Sequence, residues 1–147
     1  MQQRVWSESI ASALLRKHGL RVTAPRVAIC MKLLEKHCHY TAQQLHAELV
    51  PKHPALSPNT VYLTLNQLAA VGVIRSFRMT GNTIFDSNIS EHDHALCREC
   101  GRLEDLPSET LNRPTSPACI REWVLEGGTR LWSGFCPTCN ESENKTA

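Results

Sequence analysis

Residues 86–105, DSNISEHDHALCRECGRLED, hold the side chains around which this chain is organised. They include two histidines, two cysteines and an aspartate at each end, and every one of these side chains can bind a metal. His92 and His94 are separated by one residue, so both imidazoles lie on one face if the segment is a strand. Cys97 and Cys100 form a Cys-x-x-Cys pair, which brings two thiolates onto one tetrahedral zinc ion. The spacing predicts two metal sites.

A second Cys-x-x-Cys pair lies near the end of the chain, at Cys136 and Cys139. Four cysteines in two such pairs form a closed zinc site, which stabilises a small domain and leaves no open catalytic position. By itself, the Cys-Pro-x-Cys sequence also resembles a redox motif whose thiols cycle through a disulfide. The spacing favours zinc, and a zinc-free protein with a redox-active pair would contradict it.

Length and composition limit the class of protein. A chain of 147 residues accommodates one ordinary domain or two small ones, and its 41% hydrophobic content is compatible with a folded core. No segment resembles a signal peptide or a membrane span, so we expect a cytoplasmic protein with no membrane partner. In that compartment the seven cysteines are expected as metal ligands or reactive thiols instead of disulfides.

Charge is divided unevenly along the chain. Residues 1–80 contain ten Lys and Arg against three Asp and Glu, whereas residues 81–147 contain six against eleven. A basic half joined to an acidic half rich in metal ligands indicates different partners, and lysine and arginine suit phosphates. The simpler alternative is that both halves are ordinary solvated surfaces, which charge alone does not exclude.

The basic half has the signals of several helices followed by a β-hairpin. Thr23 is positioned to cap one helix, and the sequence that begins at Thr41 is a capping box for the next, after a loop at residues 37–40. A further helix is predicted at residues 57–71, and two strands joined by the turn at residues 80–82 follow it. This order predicts a winged helix-turn-helix with residues 57–71 as recognition helix.

The predicted recognition helix separates apolar from polar positions. Its apolar residues at helical spacing, which are expected to face the core, are Val61, Leu65, Leu68 and Ala69. The residues left mostly on its outer side are Asn59, Thr60, Tyr62, Leu63, Asn66 and Gln67. Asn, Gln, Thr and Tyr side chains reach base edges or phosphates from the major groove, so this face predicts DNA binding. The alternative is a small helical domain whose polar face meets only water.

The acidic half is expected to consist of short strands and loops. Strand candidates flank the first cysteine pair at residues 94–97 and 102–106, and a hairpin is predicted around the glycine pair at 127–128. A helix within residues 108–120 is interrupted by two prolines. The polar tail at residues 141–147 is expected to fray.

Six motifs occur in an order that resembles the ferric uptake regulator (Fur) superfamily of metal-dependent repressors. They are GLRVTAPR (19–26), YTA (40–42), TVYLTLNQL (60–68), GVI (72–74), HDH (92–94) and the paired cysteine motifs. The resemblance implies an α+β protein, with an N-terminal winged helix-turn-helix DNA-binding domain at residues 1–85. A small α/β dimerisation domain with a four-cysteine zinc site follows at residues 86–147. The implied assembly is a homodimer on double-stranded DNA with an AT-rich palindromic operator.

The resemblance also implies residue roles. The family's structural zinc ligands match Cys97, Cys100, Cys136 and Cys139. Its regulatory metal ligands match His39, Asp86, His92, His94 and Asp105, a nitrogen and oxygen set suited to Fe(II), Mn(II) or Zn(II). Its DNA contacts match Arg21 in a minor groove and Tyr62 on bases. The other residues predicted to contact DNA are Arg26, Asn59, Thr60, Leu63 and Asn66.

The carboxylates indicate a branch of the family. Both carboxylate ligands, Asp86 and Asp105, are aspartates, which resembles the peroxide-sensing PerR-type branch. In that branch bound Fe(II) reacts with peroxide and oxidises ligand histidines, and the resemblance implies His39 or His92 as the target here. Zinc-sensing members commonly have cysteine at the first of these positions, and iron-uptake regulators usually have glutamate at the second. A regulator of iron or zinc uptake is the alternative within the family.

Some residues depart from the family pattern or compete with it. Leu63 stands where many members have arginine, which removes a phosphate or base contact, although leucine can touch a thymine methyl. His37 competes with His39, and Cys38 lies between them. Glycines at 127–128 replace histidines of an additional family site, so Asp93 is assigned to neither metal.

An enzyme or a redox protein is the alternative from another class. A hydrolytic or deaminating zinc enzyme needs an open metal and a nearby general base. At the histidine pair the His-x-Glu signature of zinc deaminases is absent, since His92 is followed by Asp93 and His94. We therefore predict a regulator without enzymatic activity.

Overall fold

The computed structural model describes residues 7–35, 38–107 and 130–143. The chain forms two compact units, which are Met1–Ile89 and Ser90–Ala147. The first unit combines helices with a small sheet, and the described part of the second combines a sheet with a short helix. The chain therefore has the α+β composition that the sequence predicts.

The described elements run in the following order. The first unit contains α1 (Glu8–Lys17), α2 (Ala24–Leu34), β1 (His39–Tyr40), α3 (Ala42–Leu49), α4 (Pro58–Ala70), β2 (Arg75–Met79) and β3 (Asn82–Asp86). The second contains β4 (His92–Cys97), β5 (Leu103–Pro107), β6 (Leu131–Gly134) and α5 (Pro137–Glu143). Within the described ranges, every helix falls short of the length and hydropathy that a bilayer-spanning helix needs.

Hydroxyl residues occupy the N-cap positions of α1 to α4, and they are Ser7, Thr23, Thr41 and Ser57. The capping box at Thr41 is confirmed, because its hydroxyl accepts from the Gln44 N–H at 3.1 Å and the Gln44 side chain accepts from the Thr41 N–H at 2.9 Å. Thr23 is at the predicted position but makes no side-chain cap bond. Pro25 in the first turn of α2 lacks an N–H, which removes one donor that a cap would have to satisfy.

The core of the first unit lies between its helices and β3. Val61, Leu65 and Leu68 of α4 are buried, as the helical spacing predicts, and Ala69 packs beside them. Thr64 is also buried on this helix, although its hydroxyl gives no signal of a core position. This packing fixes which face of α4 is left exposed.

A three-stranded antiparallel sheet, in the order β1-β3-β2, completes the described part of the first unit. Met79 pairs with Asn82, so the β2–β3 hairpin loop consists of Thr80 and Gly81 alone. Both loop residues have positive φ, 46° and 84°, which matches the twist of a two-residue hairpin. The three-residue turn predicted from the sequence is one residue too long, because Asn82 belongs to β3.

Strand β1 corrects part of the loop predicted at residues 37–40. His39 pairs with Asp86 and Tyr40 pairs with Phe85, so these two residues form an edge strand against β3. A strand of two residues is too short to show alternation in the sequence. The pairing places His39 directly across from the last residue of β3.

The described sheet of the second unit has the order β5-β4-β6. Strand β4 is antiparallel to β5 and parallel to β6. Residues 137–143 form α5, so the first three residues of the polar tail expected to fray are helical. The predictions for residues 108–129 and 144–147, and for His37, lie outside the described residues.

Candidate metal centres and recognition helix

Four cysteine thiols meet in the second unit, two beside the β4–β5 turn and two at the start of α5. Their sulfur atoms all lie within 4.8 Å of one another, and Cys100 Sγ is 3.7 Å from Cys136 Sγ. In a tetrahedral site with Zn–S bonds of about 2.3 Å, neighbouring sulfur atoms are about 3.8 Å apart. The thiols of Cys97, Cys100, Cys136 and Cys139 therefore fit one zinc ion.

The backbone shapes this cluster. Gly101 adopts a φ of 74°, which favours glycine, and its N–H donates to the Cys97 carbonyl at 3.0 Å. The N–H of Cys97 in turn donates to the Arg102 carbonyl at 2.8 Å. These bonds turn the chain tightly between β4 and β5, and so bring Cys100 back towards Cys97.

Hydrogen bonds and burial shift the pKa values of two of the four thiols in opposite directions. Backbone N–H groups of Cys100 and Cys136 point at the Cys97 sulfur and lower its pKa to about 6. The bond from the Cys136 N–H measures 3.3 Å. Hydrogen bonding with the Cys136 side chain, together with burial, raises the pKa of Cys139 to about 12. One thiolate is thus stabilised by the backbone, and four together require a metal to offset their charge.

His39 and Asp86 approach each other within the first unit. Their Nε2 and Oδ1 atoms are 3.8 Å apart, which is too long for a hydrogen bond. Two ligands bound at about 2.1 Å are about 3.0 Å apart at a right angle and up to about 4.2 Å apart when opposite. Asp86 Oδ1 also accepts from the Asn88 N–H at 2.8 Å, which orients the carboxylate. This pair has the separation of two ligands on one ion.

His92 and His94 lie on one buried face of β4, with Asp105 of β5 beside them. The two Nε2 atoms are 3.0 Å apart, and Asp105 Oδ1 is 3.4 Å from His92 Nε2. His92 Nδ1 is 2.8 Å from the Ser90 carbonyl, where its N–H donates. That bond leaves a lone pair on Nε2, facing an imidazole and a carboxylate. A shared cation suits these donors.

Asp93 has different surroundings. The alternation of β4 directs it to the opposite face from His92 and His94. It is buried and accepts from Trp132 Nε1 at 3.3 Å, with Arg130 Nε 4.0 Å away. Its carboxylate is therefore accommodated by side chains next to and within β6.

The outer face of α4 combines apolar and polar groups. Tyr62 and Leu63 are 47% and 51% exposed, and Asn59 is also exposed. Thr60 is half-buried against the N-cap, where its N–H donates to Ser57 Oγ at 3.1 Å. The amide of Asn66 donates to the Tyr62 carbonyl at 3.0 Å, so part of its hydrogen-bonding capacity is used within the helix.

Arg26 is half-buried and contacts two other segments of the first unit. Its Nη1 donates to the Arg21 carbonyl at 2.9 Å, and its Nη2 donates to Gln67 Oε1 at 2.6 Å. The side chain of Arg21 is exposed. The bond to Gln67 joins residues 41 positions apart, and no sequence signal predicts it.

The sequence model of the ferric uptake regulator family matches residues 17–125, which is most of the chain. This chain belongs to the ferric uptake regulator family. The peroxide-responsive repressor PerR of Staphylococcus epidermidis is 37% identical to it over 139 residues, covering 93% of this chain and 91% of the relative. PerR of Staphylococcus aureus strain Mu50 is 35% identical over 106 residues, covering 71% and 70%.

Solved structures show the same fold. The ferric uptake regulator Fur of Helicobacter pylori superposes with a TM-score of 0.68 at 18% identity, covering 97% of this Fur-family chain and 99% of that one. Fur of Vibrio cholerae superposes with a TM-score of 0.64 at 23% identity, covering 85% and 98%. The predicted architecture, a winged helix-turn-helix followed by a small α/β domain with a cysteine cluster, is confirmed.

Proposed function

We propose that this chain is a metal-dependent transcriptional repressor, which binds an AT-rich inverted-repeat operator as a homodimer when its regulatory metal is bound. The observation that carries the proposal is the presence of one donor set in each unit. His39 and Asp86 belong to the unit that contains α4, and His92, His94 and Asp105 belong to the other. Membership of the family supports the same conclusion.

The two donor sets, one of thiolates and one of imidazoles and carboxylates, suit two different metal ions. The four cysteines would hold a structural Zn(II), since thiolates at tetrahedral spacing suit zinc and leave no position open for a substrate. The imidazoles and carboxylates would hold the regulatory ion, Fe(II) or Mn(II), with Zn(II) as the alternative. The convergence of all four thiols favours this assignment over a redox role for Cys136 and Cys139 alone.

Regulation would follow from linkage between metal and DNA. One ion bound by donors of both units restricts the arrangement of those units. In a two-fold dimer, the recognition helices must match major grooves one helical turn apart, ~34 Å. An ion that binds the DNA-competent arrangement more tightly shifts the population towards it, and DNA must strengthen metal binding by the same factor.

The PerR relatives and the identities of two ligands favour peroxide as the signal. Asp86 and Asp105 are both aspartates, as in the peroxide-sensing branch. Bound Fe(II) would supply the chemistry that transfers oxygen from peroxide to a ligand histidine, and we propose His39 or His92 as its target. Buried His92 is held by Ser90 and lies against His94 and Asp105, so oxidation there would remove a ligand.

Mass spectrometry separates the peroxide response from the alternatives. Fe(II)-loaded protein treated with mild peroxide should gain about 16 Da, one oxygen atom, on the peptide that contains His39 or His92. Mn(II)-loaded protein treated in parallel should gain none on these peptides. Equal oxidation with both metals, or none with iron, would favour an iron- or zinc-uptake regulator.

The proposed function is tested by selection of DNA from a randomised duplex library. Mn(II)-loaded protein should enrich AT-rich inverted repeats, and removal of Mn(II) by a chelator should release them in a mobility-shift assay. The His53→Ala variant serves as a control, since this exposed histidine belongs to neither donor set. Failure of the metal-loaded protein to enrich any duplex would reject the proposal.

A further inference from the structure

Arg26 joins three segments of the first unit through one guanidinium group. The residue lies in α2, its Nη1 donates to the carbonyl of Arg21, and its Nη2 donates to the side chain of Gln67 in α4. The bonds measure 2.9 and 2.6 Å. A planar guanidinium presents its donors as a rigid fork, so it fixes the two acceptors relative to each other.

Both acceptors lie beside groups that are exposed on the first unit. Gln67 is on the exposed face of α4, the helix that also presents Tyr62 and Leu63. Arg21 presents an exposed cation from the connection between α1 and α2. Residues 20–23 of that connection have no regular secondary structure, so the position of Arg21 depends on tertiary bonds such as the one from Arg26.

We infer that Arg26 is a positioning residue, which sets Arg21 at a fixed distance from the recognition helix α4 so that both engage the same stretch of DNA. This inference rests on the proposed function, because DNA is the ligand. Arg26 acts through its two protein acceptors and not through a phosphate. Its contribution to DNA affinity therefore depends on the presence of Gln67. A direct contact between Arg26 and a phosphate would contribute to affinity whether or not Gln67 is present.

Substitution by lysine distinguishes the two roles. Arg26→Lys keeps the positive charge, and lysine also binds phosphate, but as a point charge. It cannot present the planar fork that holds both acceptors. Positioning therefore predicts that Arg26→Lys lowers DNA affinity by about fivefold, and that Gln67→Ala lowers it by a similar factor. The DNA affinity of the double variant should also fall by about fivefold. If the two substitutions acted independently, it would fall by about 25-fold.

The measurement uses the full-length protein loaded with Mn(II), and a fluorescein-labelled duplex that the wild type has enriched from a randomised library. Fluorescence anisotropy gives the affinities. Arg78→Lys is the matched control, because Arg78 is an exposed arginine of β2 to which positioning assigns no role. Thermal unfolding midpoints should be equal for all variants within a few degrees, which separates positioning from a loss of fold.

Hydroxyl-radical footprinting adds a readout that a purely structural role would not change. Arg26→Lys should lose protection at one side of each half-site while the protection given by α4 remains. Wild-type affinity in Arg26→Lys, or additive losses in the double variant, would overturn the inference and leave the proposed function intact. If the wild type enriches no duplex, the proposed function and the inference fail together.

Discussion

Replacing Cys100 by serine should unfold the second unit and leave the first folded. The buried apolar cluster is formed by side chains between Ala11 and Phe85, all in the first unit. Among the described hydrophobic residues of the second unit, only Cys97 is buried. On β6, Leu131 and Trp132 are 44% and 46% exposed. A small domain with so little buried apolar surface in its described part depends on another source of stability.

Metal binding supplies the magnitude. Structural zinc contributes about 10–16 kcal/mol in small zinc domains near neutral pH, which rivals the about 5–15 kcal/mol net stability of a whole domain. The Cys100 side chain is exposed, so serine changes the packing little and the effect is that of a lost thiolate. We expect the free energy of unfolding of the second unit to fall by more than about 5 kcal/mol.

Hydrogen exchange with zinc analysis provides the assay. Amides of β4, β5 and β6 should lose protection in Cys100→Ser, whereas those of α1 and α4 should keep it. Glu99→Gln is the matched control, because Glu99 is an exposed residue of the same turn that is not a proposed ligand. The reasoning is refuted if Cys100→Ser contains no zinc and still protects β4 and β5.

Three further predictions concern the first unit. Leu63→Arg should add about one phosphate contact, and so steepen the dependence of log affinity on log salt concentration by about 0.9 in anisotropy titrations. An unchanged slope would place residue 63 away from the DNA phosphates. Thr41→Ala should lower the free energy of unfolding in urea by about 1 kcal/mol through loss of the capping box; no loss would contradict it. Burial raises the pKa of the Cys30 thiol from 9.0 to about 11 in the folded protein. The thiol of the unfolded chain therefore ionises first, so the contribution of Cys30 to the free energy of unfolding is complete below pH 9 and is lost as the pH rises to 11. The wild type should then lose about 2–3 kcal/mol relative to Cys30→Ala, and parallel pH profiles would contradict it.

Sequence patterns predict the elements whose signals are local. The apolar spacing of α4 and the capping box at Thr41 depend on residues within one or two turns, so both can be inferred from the sequence. The cysteine pairs are equally local, because two residues between thiols suit one tetrahedral ion. The motif order that resembles the family supplied the wider architecture.

Long-range pairings could not be predicted in this way. Strand β1 exists because His39 and Tyr40 pair with β3, and two residues carry no periodicity of their own. Thr64 is buried because of its position on α4, although its hydroxyl suggests otherwise. The bond between Arg26 and Gln67 depends on the packing of α2 against α4, which sequence spacing does not specify. In each case tertiary contacts override a weak or absent local signal.

The most direct test of metal control is the affinity for the enriched duplex with and without Mn(II), measured for the wild type, His39→Ala and His53→Ala. The structural zinc content must be equal in all samples. We expect Mn(II) to raise the affinity of the wild type and of His53→Ala by at least about tenfold, within the usual range of coupling free energies. His39→Ala should respond little. An affinity that is independent of Mn(II) in the wild type would contradict metal-coupled repression.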